Sequence, residues 1–77
     1  MYTVEDIDLV LKDLAMYVKL KDCISPEEIQ YRAFLFSLRN WRIRGFHESH
    51  IVGTIEKEVY LEQFKQKLQY LKSYHNH

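Results

Sequence analysis

Four histidines, one cysteine and four arginines are the side chains of this 77-residue chain with the most chemistry to offer. His47 and His50 stand three apart with Glu48 between them, a spacing that lets two imidazoles on a helix share one metal ion. Zinc in a tetrahedral site needs further ligands, and Cys23, His75 and His77 are scattered along the chain. The pair therefore reads as surface or interface histidines, and no metal is expected. Histidines so placed make contacts pH-sensitive near neutrality. Ser49 precedes His50, but a serine nucleophile needs a base converging on it in space and a third group to orient that base. Gly45 and Gly53 are solitary, so no phosphate-cradling loop is present. Cys23 falls between two expected helices and reads as an incidental or structural thiol rather than a redox centre. No acid, base and nucleophile come together. The chain is expected to be no enzyme, to carry no cofactor and to take no small-molecule substrate.

The arginines are a different matter. Arg32, Arg39, Arg42 and Arg44 are all the arginines of the protein, and they fall within 13 residues. Aromatics interleave with them, as in Tyr31-Arg32, Arg39-Asn40-Trp41-Arg42 and Arg44-Gly45-Phe46. That mixture suits nucleic acid, with cations on phosphates and rings on bases. It equally suits an acidic protein partner, or the chain's own Glu5, Asp6, Asp8 and Asp13. Arginine, tryptophan and tyrosine are also the residues enriched at protein interfaces. A helix-turn-helix reading would need a short turn and a base-reading helix after Gly45, and the turn signal there is weak. Near the C-terminus Tyr70 and Tyr74 lie one turn apart among Lys65, Lys67 and Lys72. Lysines there suit the negative end of a helix dipole, with an aromatic-basic contact surface as the alternative.

Charge is balanced overall but unevenly placed. Residues 1–30 hold seven acids and three lysines, residues 31–47 hold four arginines and no acid, and residues 48–77 hold four of each sign. A neutral total disfavours indiscriminate coating of nucleic acid or anionic membrane, while leaving room for one specific contact. An apolar content of 47% with one proline and two glycines describes a packing chain rather than a disordered one. No apolar run approaches the roughly 18–20 residues needed to cross a bilayer. The acidic start (Glu5, Asp6, Asp8) is wrong for a targeting segment, and a lone thiol fits a reducing compartment, so a cytoplasmic location is expected.

The elements that must position these residues are helices. Thr3 caps the first, with Asp6 completing a capping box, and the apolar steps Val4, Ile7, Leu11, Leu14, Val18 keep one face within about 80° at 100° per residue. That helix is expected over about 4–21. Ser25-Pro26-Glu27-Glu28 is the clearest start in the chain: a capping serine, then proline where its missing N–H is harmless, then acids in the first turn. The second helix is expected over about 26–43, with Gly45 as a left-handed stop. Beyond it, Val52, Ile55 and Val59 lie roughly opposite Tyr60, Leu61, Phe64, Leu68 and Leu71. This predicts either two helices, about 48–57 and 58–74, or one helix gripped on opposite sides at its ends; Gly53 tips the reading toward a break.

The expected fold is all-α, a single domain over 1–77 built as a small three-helix bundle, or four-helix if the last helix breaks. Such a chain buries only roughly 60% of its unfolded surface. Yet Leu9, Met16 and Leu20 form a second apolar line on the back of the first helix. The second helix is two-sided, with Ile29, Ala33, Phe36 and Ile43 against Tyr31, Phe34, Leu35, Leu38 and Trp41. A central position between two other helices would account for the second helix but not for the first. Soluble monomers seldom expose contiguous apolar patches beyond a few hundred Å². The chain is therefore expected to bind another protein or itself as a homodimer, in a regulatory or adaptor role. Leu9, Met16, Leu20, Tyr31 and Trp41 are the candidate anchors; nucleic acid held by Arg32, Arg39, Arg42 and Arg44 is the alternative.

Overall fold

The computed structural model describes residues 2–45 and 55–75. They form three α-helices, α1 (Val4–Lys21), α2 (Pro26–Ile43) and α3 (Ile55–His75), and no strand occurs among the described residues. The chain is all-α. Each helix begins where its local chemistry dictates. The Thr3 hydroxyl accepts from the Asp6 N–H at 3.1 Å, and the Asp6 carboxylate accepts from the Thr3 N–H at 3.1 Å, a complete capping box. Burial pushes the Asp6 carboxyl up, but the Thr3 N–H and the Lys72 ammonium outweigh it and hold that carboxyl below its ordinary value. In α2 the Ser25 hydroxyl accepts from the Glu28 N–H at 3.2 Å, and Pro26 opens the first turn.

The helix ends are equally local. Asp22 closes α1 in the left-handed region at φ 56, a conformation that aspartate tolerates better than most side chains. Gly45 lies at φ 84 just past α2, and its N–H donates to the Arg42 carbonyl at 3.0 Å. The break between residues 57 and 58 is absent, because α3 runs through that point without interruption. The expected start at 48 lies outside the described residues.

Ion pairs record how the helices run. Asp8 meets Arg39 at 2.7 Å and Lys21 meets Glu28, so α1 is antiparallel to α2. Asp6 meets Lys72 at 3.2 Å and Asp13 meets Lys67 at 3.3 Å, so α1 is antiparallel to α3 as well. It follows that α2 and α3 run parallel, with Tyr60 beside Gln30, Tyr31 and Phe34.

One core joins the three helices: Ile7 and Val10 from α1, Phe34, Leu35 and Leu38 from α2, Phe64, Leu68 and Leu71 from α3. The α3 line is the one its spacing marks, while Val59 from the opposite line stands exposed. On α1 the buried face is rotated from the expected stripe. Val10 is buried, and Leu11, Leu14, Val4 and Val18 are only half-buried. The rotation follows from α1 serving two neighbours, since Asp6 and Asp13 face α3 while Asp8 faces α2. The same neighbour changes the reading of Leu9. Expected on a free back face, it is half-buried and packs against the core. Nor is α2 sandwiched: its inner side carries the whole of its buried surface, and Ile29, Ala33, Phe36 and Ile43 face outward.

Leu35 is fully buried at the centre, so Leu35→Ala should lose about 2–5 kcal/mol of unfolding free energy in urea titration. Leu20, 84% exposed, should tolerate the same truncation within about 0.5 kcal/mol. Comparable losses at both positions would contradict this core.

Candidate functional site

Seen from outside, α2 presents a single apolar line. Ile29 is 52% exposed, Phe36 45% and Ile43 59%, and Ala33 between them is exposed too. With exposed Asn40 the line reads 29, 33, 36, 40, 43, alternating steps of four and three that hold one helix face. Arginines border it. The Arg32 guanidinium lies over the Phe36 ring, 5.3 Å from its centre, so this cation is parked on the apolar line itself. Arg39 donates from Nε to Asp8 Oδ1 at 2.7 Å, which spends its charge inside the molecule. Arg44 is exposed at the C-cap, and Arg42 is half-buried. The arginine cluster is therefore divided: Arg32 and Arg44 point to solvent, and Arg39 holds α1.

A second apolar surface lies at the C-terminal end of α1. Met16 is 57% exposed, and Tyr17 and Leu20 stand beside it on the helix, also exposed. Lys21 reaches back over the Tyr17 ring at 5.0 Å. On α3, Tyr70 and Tyr74 stack with ring centres 6.4 Å apart, and Lys67 lies 5.6 Å from the Tyr70 centre. Both rings are exposed, which gives this helix a small aromatic-basic surface of its own.

Between the helices, Val10, Asp13, Leu14, Tyr17, Tyr31 and Lys67 line a cleft of about 200 Å³. This is below the roughly 300–1,000 Å³ of ordinary small-molecule pockets. The Asp13–Lys67 pair sits in its wall. Tyr31 turns its hydroxyl inward, where it finds no hydrogen-bond partner among the described residues. Burial, with the Asp13 charge adding to it, pushes this phenol up from 10.0 to about 12.

The residues expected as anchors are thus distributed unevenly. Met16 and Leu20 are exposed, whereas Leu9, Tyr31 and Trp41 are half-buried. Tyr31 packs against the core and tilts against Tyr60 at 5.8 Å. The outward side of α2 is the one that sequence reasoning did not choose, although its step pattern and arginine borders are written in the sequence. Cys23 is exposed and unpaired in a disulfide. His47, His50 and His77 lie outside the described residues. Among the described residues no group of three histidine, cysteine or acidic side chains is placed to hold a metal ion. No described helix is long and apolar enough to cross a membrane. Comparison with protein-family models, with curated proteins and with solved structures finds no match to this chain.

The Tyr31 phenol yields a check on this geometry. Its raised value means that any stability it contributes is complete below 10.0 and drains away as pH rises toward about 12. Phenolate absorbance should show a late-titrating tyrosine near that value, missing in Tyr31→Phe. The same variant should unfold at equal or up to about 1 kcal/mol higher free energy, because it removes a buried hydroxyl that lacks a partner. A clear loss of stability would mean that the hydroxyl is engaged.

Proposed function

We propose that this chain is a non-catalytic regulatory or adaptor domain that acts by binding another protein through the outer face of α2. The observation that carries this reading is the line of Ile29, Ala33, Phe36 and Ile43, interrupted by Asn40 alone and exposed over four turns of one helix. Exposing that many apolar side chains in one row costs solubility and contributes nothing to the core. Rows of this kind mark protein contacts. Self-association belongs to the same reading, with Met16 and Leu20 as a second apolar surface through which a homodimer could close. The lone exposed thiol fits a reducing compartment, and a cytoplasmic setting is part of the proposal.

Nucleic acid is the weaker reading. A phosphate-binding strip needs several free cations, and Arg39 is already committed to Asp8.

Capture from the native host with the tagged full chain tests the proposal, run with and without nuclease and alongside Phe36→Asp. Protein should be retained on the wild-type chain, unaffected by nuclease, and lost from the variant while its helical circular dichroism persists. Equal capture by both chains, or capture of nothing, refutes the α2 reading. Sedimentation at micromolar concentration addresses self-association: Met16→Lys with Leu20→Glu should shift a dimer to monomer, and a wild-type monomer removes the homodimer.

A further inference from the structure

The outer face of α2 carries an electrostatic signature as well as an apolar one. Arg32 and Arg39 border the apolar line on one side and Arg44 on the other. The only acids of α2 are Glu27 and Glu28 in its first turn, and Glu28 is engaged by Lys21 and Ser25. No acid stands along the line itself. The row from Ile29 to Ile43 spans about 21 Å at 1.5 Å per residue, the length of four helical turns. Its alternating steps of four and three are those of a helix that packs along another helix.

We propose that this face receives an amphipathic helix of a partner protein whose apolar stripe is flanked by aspartate or glutamate. The inference rests on the protein-binding reading above and adds the chemistry of the partner. Ile29, Ala33, Phe36 and Ile43 supply the apolar seam, Ala33 being the small residue that lets a facing side chain approach. Arg32 and Arg44 meet the acidic flanks. Asn40, exposed within the seam, selects a polar residue at the level facing it, because its amide would otherwise be buried without a hydrogen-bond partner.

A second copy of this chain is the wrong occupant of the same seam. Its own α2 holds acids only in the first turn, Glu27 and Glu28, and none along the seam, so it offers no counter-charge to Arg32 and Arg44.

The test places a photo-crosslinking benzoylphenylalanine at Phe36, and separately at Ile43, in the full chain expressed in its host, and sequences the crosslinked peptide. The expected product at both positions is one segment of another protein with apolar residues at three-four spacing and aspartate or glutamate beside them. The corresponding synthetic peptide should bind the purified chain. Arg32→Glu with Arg44→Glu should weaken that binding by about tenfold or more and flatten its salt dependence. A crosslinked protein segment that is basic, neutral or not helical overturns the proposal while leaving the protein-binding reading intact. So does a crosslink to a second copy of this chain. Crosslinks to nucleic acid, or no crosslink at either position, overturn both.

Discussion

α1 is the helix on which the rest of the molecule hangs. Ile7 and Val10 are the only α1 side chains in the buried core, yet they sit where α2 and α3 both converge. Among the described residues, eight buried apolar side chains hold three helices together, and each helix turns one face toward so small a centre. Whatever apolar surface lies on the remaining faces is left outside by geometry. Among the described residues no fourth helix or sheet lies over those faces. The exposed row on α2 is thus the direct counterpart of the buried one, the same helix read from its other side.

Charge gives the arrangement its direction more than its strength. The pairs Asp8–Arg39, Asp6–Lys72 and Asp13–Lys67 are all partly exposed, and surface pairs of this kind contribute only about 0–1 kcal/mol each. Their value lies in selecting one packing over another. Acids on α1 face a cation on each neighbouring helix, which fixes α1 antiparallel to both. Reversing α3 would bring Asp6 and Asp13 near its glutamate-bearing start instead of Lys67 and Lys72. The acidic bias of the first 30 residues, which looks like a solvated face when only composition is considered, is in part an internal contact surface. One arginine of the basic cluster is absorbed in the same way.

Folding claims residues that a recognition surface would also use. Arg39 and Tyr31 carry the chemistry expected of a recognition surface, but the fold uses them for α1 and for the space beside Tyr60. The proposed recognition surface draws on what folding leaves exposed: Ile29, Ala33, Phe36, Ile43 and Arg32 on α2, Arg44 at its C-cap, and Met16 and Leu20 on α1. The cleft at Tyr31, about 200 Å³, is smaller than an ordinary small-molecule pocket.

Helix starts and stops were legible because they depend on residues within one turn. Thr3 with Asp6, Ser25 with Pro26 and Glu28, and the left-handed Gly45 are interactions between near neighbours in the chain. The inward line of α3 was legible for a similar reason, since Tyr60, Leu61, Phe64, Leu68 and Leu71 repeat at the helical period. Of the two readings of the last segment, the continuous helix holds over Ile55–His75, and Val59, off the inward line, stands exposed on it; Gly53, which favoured a break, lies outside the described residues. Periodicity could not decide which side of α2 faces in, because both sides are apolar at the same spacing. Nor could it say that Leu9 has a neighbour. Those choices belong to the tertiary structure, where only a few large side chains fit against α1 at once, and Phe34, Leu35 and Leu38 took that space in place of Ile29, Phe36 and Ile43.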